Sequence, residues 1–174
     1  MLEAAIIAAV VIIDQLTKMW VSSSLGSDVL RVIPGLFNFR YIENRGMAFG
    51  LFQNGTLILS ITSAIFAAVM IFIIYRYKKK TTRPFNIFLA LIAGGAIGNL
   101  IDRVFAGFVV DFIEFAFVDF AVFNFADICV TIGGIMLIVY LCFFKNGRNI
   151  VKGIDSDGRK DGEKDGKDNQ ETRS

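Results

Sequence analysis

Seven ionisable or amide residues stand beside or inside the apolar runs of this 174-residue chain: Asp14, Lys18, Asn99, Asp102, Arg103, Asp111 and Asp127. Charge at membrane depth is costly, and where it persists it marks a functional site. Two of the carboxylates have aromatic surroundings: Asp111 in Val109-Val110-Asp111-Phe112 and Asp127 in Phe123-Asn124-Phe125-Ala126-Asp127. Brought together in a low-dielectric setting, two carboxyls cannot both ionise comfortably and tend to share one proton. The ionised member can then take a proton from water, while the protonated member polarises a carbonyl and later serves the leaving amine. That chemistry is aspartic peptide hydrolysis, with no covalent intermediate, metal or other cofactor. The residues alone leave a second reading open, in which these aspartates are solvated at an interface or cap helices.

Other chemistries find less support. The chain has no histidine, which removes Cys-His and Ser-His catalysis and most zinc sites. Cys129 and Cys142 lie thirteen positions apart on one expected helix, roughly 20 Å along its axis, too far for a disulfide; both read as buried packing residues. Asp161, Glu163, Asp165 and Gly166 alternate oxygens as a calcium loop does, but its twelfth position is Thr172 and no helices flank it. Lys18 with Ser22 one turn later would suit a Ser-Lys peptidase. A small ion or proton transporter would also carry charges in its helices, though nearer the midplane than the outer ends expected here. A non-catalytic membrane scaffold would tolerate changes at all these positions.

The elements that must position these groups are membrane helices. More than half the residues are apolar, mean hydropathy is +0.59 and phenylalanine fills 18 positions, more than a soluble domain of this size can hide. The uncharged runs Leu57 to Tyr75, Phe85 to Ile101 and Ile128 to Phe144 each approach the roughly 20 residues that cross a bilayer. The run Leu2 to about Val21 lacks a basic flank and a small-residue cleavage pattern, so it reads as a retained first helix and not a secretory signal. The expected fold is an all-α membrane protein of four transmembrane helices, about 2–21, 57–75, 85–103 and 127–144. Outer loops run over 22–56 and 104–126. The helices and loops make one domain, 1–145, and 146–174 is a polar, disordered cytoplasmic tail.

Arg76, Lys78, Lys79, Lys80 and Arg83 follow the second helix, and Lys145, Arg148 and Lys152 follow the fourth. The positive-inside rule therefore puts both termini in the cytoplasm and the polar groups near the outer face. The outer segment Val29 to Phe52 has strand-like composition with turn signals at Pro34-Gly35 and Asn38, which suggests a small extracytoplasmic β-like element. Val109 to Phe125, rich in Phe, Val and Ala, suits the interface, and Glu114 and Asp119 read as solvated there. Net charge of +2 sums 18 basic and 16 acidic residues sorted by segment and implies no nucleic-acid partner. Arg31, Arg40 and Arg45 stay open between contact with lipid phosphates and simple solvation.

Five segments occur in an order that resembles lipoprotein signal peptidase, the signal peptidase II family. They are Asp14-Gln15-Leu16-Thr17-Lys18, Asn44-Arg45-Gly46-Met47-Ala48-Phe49, Gly94-Gly95-Ala96-Ile97-Gly98-Asn99-Leu100-Ile101-Asp102-Arg103, Val110-Asp111-Phe112 and Phe123-Asn124-Phe125-Ala126-Asp127. The resemblance spans Met1 to about Lys145 and departs from the pattern at Ala121, where proline is frequent, and at Ile128, where serine is. It implies a monomeric, multi-pass aspartyl endopeptidase of the bacterial inner membrane. Such an enzyme removes the signal peptide from diacylglyceryl-modified prolipoproteins by cutting before the lipidated cysteine, with membrane lipid as its other partner. Asp111 and Asp127 match the catalytic pair; Asp14, Lys18, Asn44, Asn99, Arg103 and Asn124 match positions that orient the pair or bind substrate. Gly94, Gly95 and Gly98 read as close-packing positions, and Asp102 stays open between a site role and an interfacial ion. Asn44 and Asn124 are expected to donate to substrate carbonyls, with the β-like segment clamping an extended stretch.

Overall fold

The computed structural model describes residues 1–26, 28–46, 55–147 and 149–150. Four helices form: α1 (Leu2–Ser24), α2 (Thr56–Arg76), α3 (Arg83–Phe105) and α4 (Phe125–Phe143). Each is long and apolar enough to cross a membrane. Three strands, β1 (Val29–Ile33), β2 (Phe37–Asn44) and β3 (Val109–Phe115), make one antiparallel sheet in the order β1-β2-β3.

α3 is the hub of the bundle, packing against α1, α2 and α4. Its small residues permit this. A Cβ on Gly94 would come within 2.8 Å of the Val10 side chain on α1, and one on Gly95 would run into the Ala126 carbonyl of α4. Backbones approach closely where side chains are absent, as expected for helices in lipid. α2 packs chiefly on α3 and leaves a gap toward α4. Pro84 sits in the first turn of α3, where its missing N–H breaks no hydrogen bond.

The β1–β2 turn forms at Pro34-Gly35, with Gly35 at a φ of +76° and the Leu36 amide donating to the Ile33 carbonyl at 3.0 Å. Asn38 is no turn residue; it lies inside β2, faces Arg31 and Glu114 in the register, and donates to the Glu114 carboxylate at 3.1 Å. The part of the expected β-like segment at 47–52 lies outside the described residues.

The segment after α3 departs from the simple interfacial reading, because β3 pairs with β2 from Phe37↔Phe115 to Asn44↔Val109. Glu114 is accordingly half-buried and ion-paired with Arg40 at 3.2 Å instead of solvated. Cys129 is buried as expected, whereas Cys142 is exposed on the side of α4.

The bundle also reaches past Lys145. Residues 145–147 and 149–150 are helical, and Ile150 is buried with Ile74, Phe85, Leu89, Ala90 and Tyr140. Packed structure therefore extends to Ile150, inside the segment expected as tail. Arg148 and 151–174, with the oxygen-rich stretch from Asp161 to Thr172, lie outside the described residues.

Candidate active site

Asp111 reaches its position through β3, where it stands opposite Ile42 of β2. Asn44, two residues along the same face of β2, reaches diagonally and donates from Nδ2 to Asp111 Oδ2 at 2.7 Å. From the other side Asn124 Nδ2 donates to Asp111 Oδ1 at 2.6 Å. The carboxyl is buried, and its pKa is pushed up to about 6, first by that burial and second by the negative charge of Asp127.

Asp127 is placed by a helix terminus. Asn124 is the N-cap of α4 and accepts from the Asp127 amide at 3.0 Å; Asp127 answers by accepting from the Asn124 amide at 3.1 Å through Oδ2. This reciprocal box satisfies two otherwise unpaired N–H groups. Asp127 Oδ1 accepts from Asn99 Nδ2 at 2.8 Å. One asparagine side chain, Asn124, thus links the carboxyl of Asp111 to the backbone of Asp127. Helix capping, which the sequence left as an alternative to catalysis, is thus observed at Asp127.

Behind the two carboxyls lies a buried polar cluster centred on Lys18, 3% exposed. Its ammonium contacts Asp14 Oδ2 at 2.9 Å, Asp102 Oδ2 at 2.9 Å and Asn99 Oδ1 at 2.8 Å. An ammonium has three N–H donors, and here there are three acceptors. Asn99 Oδ1 also accepts from Asn124 at 3.1 Å, which joins this cluster to the carboxyl pair. Asp14 Oδ1 caps α4 from outside by accepting the Ala126 amide at 3.0 Å. A Cβ on Gly98 would collide with the Asp14 carboxylate, so that position must be glycine for Asp14 to reach across.

Several expectations change here. Asp14 sits near the middle of α1, deeper along its helix than an outer-end position, yet level with the first turn of α4. Asp102 is no interfacial ion; it is buried, accepts from Gln15 Nε2 at 2.9 Å and holds the Val110 amide of β3 at 3.1 Å. Ser22 donates to the Lys18 carbonyl at 2.8 Å while the ammonium is fully engaged elsewhere, which removes the Ser-Lys arrangement. Arg103 lines the cleft beside Asn99 and donates to Ser63 of α2 at 3.3 Å. Asn124 spends both amide N–H groups on Asn99 and Asp111, so it supports the carboxyl and cannot donate to a substrate carbonyl. Among the described residues Asn44 donates one N–H only, to Asp111. Gln15 and Ser63 were not anticipated; Gln15 carried a signal, as an amide in an apolar run beside Asp14.

Asn44, Asn99, Arg103, Asp111 and Asp127 all open onto one cleft of about 750 Å³. Its walls are otherwise mostly apolar, with Leu59 and Phe66 from α2, Ala96 from α3, Val130 and Ile132 from α4, and Phe115, Phe120 and Phe123 beside β3.

Most of the chain has known counterparts. A family model described as signal peptidase (SPase) II matches residues 6–143. The lipoprotein signal peptidase of Caldanaerobacter subterraneus subsp. tengcongensis is 45% identical over 145 residues, covering 82% of this chain and 96% of that protein. That of Clostridium tetani is 42% identical over 146 residues, covering 80% and 92%. A solved structure described as a bacterial membrane enzyme matches with a TM-score of 0.74 at 32% identity, covering 80% of this chain and 86% of that one. The fold is thus that of a bacterial integral membrane enzyme, an aspartic-type peptidase. The chain belongs to the signal peptidase II family, and its activity is the removal of signal peptides from lipoproteins.

Proposed function

We propose that Asp111 and Asp127 are the catalytic pair and that they cut the peptide bond preceding a diacylglyceryl-modified cysteine. The observation that carries this reading is the Asn124 bridge, which ties both aspartates into one hydrogen-bonded unit at the wall of the cleft. The pair holds one proton. Its ionised member takes a proton from water as the water oxygen bonds to the scissile carbonyl carbon, while the protonated member donates to the carbonyl oxygen. Collapse of the tetrahedral intermediate breaks the C–N bond and returns a proton to the leaving amine. The raised pKa of Asp111 favours it as the protonated member, although the titration belongs to the pair.

The supporting residues have distinct tasks. Asn99 and Asn124 hold Asp127; Asn44 and Asn124 hold Asp111; Lys18, Asp14 and Asp102 keep Asn99 and β3 in place. Arg103, on the cleft wall, is a charged contact for substrate backbone. The apolar gap between α2 and α4 suits a signal peptide, itself a helical membrane segment that must unwind near the pair before attack. The basic residues from Arg76 to Arg83 lie at the opposite end of the bundle, so the pair faces the outer side and both termini the cytoplasm. The enzyme acts as a monomer in contact with membrane lipid, with the sheet clamping the extended part of the substrate.

The test is cleavage of a diacylglyceryl-modified prolipoprotein by the purified protein in detergent, with chelator present, comparing wild type with Asp111→Asn and Asp127→Asn. Loss of cleavage in both folded variants, with wild type unaffected by chelator, is expected. Retained cleavage in either variant overturns the pair.

A further inference from the structure

The gap between α2 and α4 is open at the outer end, where the cleft lies, and closed at the other. There Ile74 of α2, Phe85 and Leu89 of α3 and Tyr140 of α4 share one buried cluster with Ile150, which is only 4% exposed. Two helices that otherwise scarcely meet are thus joined through a residue beyond both of them. The fold-back that delivers Ile150 is tight. Gly147 is buried, and a Cβ there would meet Leu141 Cα at 2.9 Å and run into the Tyr140 carbonyl. Tyr140 is itself fixed, its hydroxyl 2.8 Å from Thr82 Oγ1 and its ring stacked on Phe144. Residues 145–147 and Ile150 lie past residue 143, where the match to the family model ends.

Its distance from the carboxyls makes it consequential. Asp127 and Tyr140 are thirteen positions apart on α4, roughly 20 Å of helix. The apolar region of a signal peptide is about 7–15 residues, or roughly 10–22 Å when helical. We propose that Ile150, seated against Ile74 and Tyr140, is a stop that sets the longest apolar signal-peptide helix the α2–α4 gap accepts, which makes it a specificity-determining residue. The inference rests on the reading that the signal peptide lies in that gap with its cleavage site at Asp111 and Asp127. A peptide whose apolar helix exceeds the available length must displace Ile150 from its cluster or sit with its scissile bond beyond the carboxyls; a shorter one meets neither penalty.

The experiment measures kcat/KM for diacylglyceryl-modified prolipoproteins whose apolar region is lengthened stepwise with Leu-Ala pairs from about 9 to about 18 residues. Full-length wild type, Ile150→Ala and Gly147→Leu are compared. Wild type is expected to fall by about tenfold or more once the apolar helix exceeds about 13 residues. Both variants should recover at least about fivefold on the long substrates while matching wild type on the shortest, which also shows that they fold. A wild-type profile flat with length, or variants that change every substrate by the same factor, overturns the stop. Should one variant fail to fold, the other still decides. If wild type cleaves the short substrate but length has no effect, only this inference falls; if it cleaves none, the placement of the substrate falls and the stop with it.

Discussion

The two ends of the bundle are held together by different physics. At the sheet end Lys18, Asp14, Asp102, Asn99, Asn124 and the two candidate catalytic carboxyls form a directional network, flanked by a small apolar cluster of Val21, Leu25 and Phe112. At the other end Ile74, Phe85, Leu89, Ala90, Tyr140 and Ile150 form a cluster that depends on volume, with one hydroxyl pair, Thr82 and Tyr140, at its side. A network of donors and acceptors fails when one partner is removed, because the others remain buried and unsatisfied. A packed cluster fails by degrees, according to the cavity left behind. The candidate catalytic carboxyls sit at the end where position is specified atom by atom.

Breaking the network should have the largest effect. Lys18→Met leaves two buried carboxyls without their shared cation, and an unfolding measurement in detergent should show a loss of about 3–5 kcal/mol; a loss near zero would mean the cluster is neutral or hydrated. Asn124→Ala removes the bridge between the aspartates. It should lower kcat by about 10²- to 10³-fold, with a cap loss of about 1 kcal/mol in stability. A variant that keeps wild-type kcat would show the bridge to be structural only.

At the other end, Leu89→Ala should cost about 2–5 kcal/mol in stability while the folded enzyme keeps its kcat. A matching fall in kcat would mean that the two ends are not independent. The pH dependence sharpens the contrast within the site itself. Asp111 has a folded-state pKa of about 6 against an ordinary 3.8, so the folded state binds the extra proton between those values. The contribution of Asp111 to stability is therefore full below about pH 4 and is lost as pH rises through about 6, on the order of 3 kcal/mol in all. Asp111→Asn should flatten that part of the unfolding profile, and an unchanged slope would assign it to another group. The smallest effect is expected for Tyr140→Phe, which loses one hydrogen bond at the end away from the carboxyls and about 1 kcal/mol, read as a small shift in Tm.

Much of the architecture was legible in the sequence because hydropathy dictates membrane helices directly. The helix ends moved by only a few residues, as with α1 continuing to Ser24 and α3 to Phe105. β3 was harder. Val109 to Phe115 is rich in β-branched and aromatic residues, yet Val109 to Phe112 are all buried, so no alternation of exposed and buried positions reached the sequence. The candidate site was legible in its members but not in its wiring. Lys18 and Asp14 are neighbours one turn apart, whereas Asp102 and Asn99 reach Lys18 only because Gly94 and Gly98 let α3 lie against α1. The fold-back at Gly147 was hidden by the polar residues around it; a single isoleucine in a charged stretch carries no periodic signal.

The contact between Asp14 and the Ala126 amide also bears on how the protein is made. The first helix enters the membrane early, and the last waits until nearly all the chain has been synthesised. The first turn of α4 gains part of its hydrogen bonding from that first helix, and the Asn124 box that holds Asp127 lies in the same turn. Until α1 and α4 meet, that turn presents an unpaired amide to lipid, an unfavourable state in a medium without water. Completion of the candidate catalytic end is therefore coupled to the arrival of the final span, so a partly inserted chain does not carry a finished peptidase site.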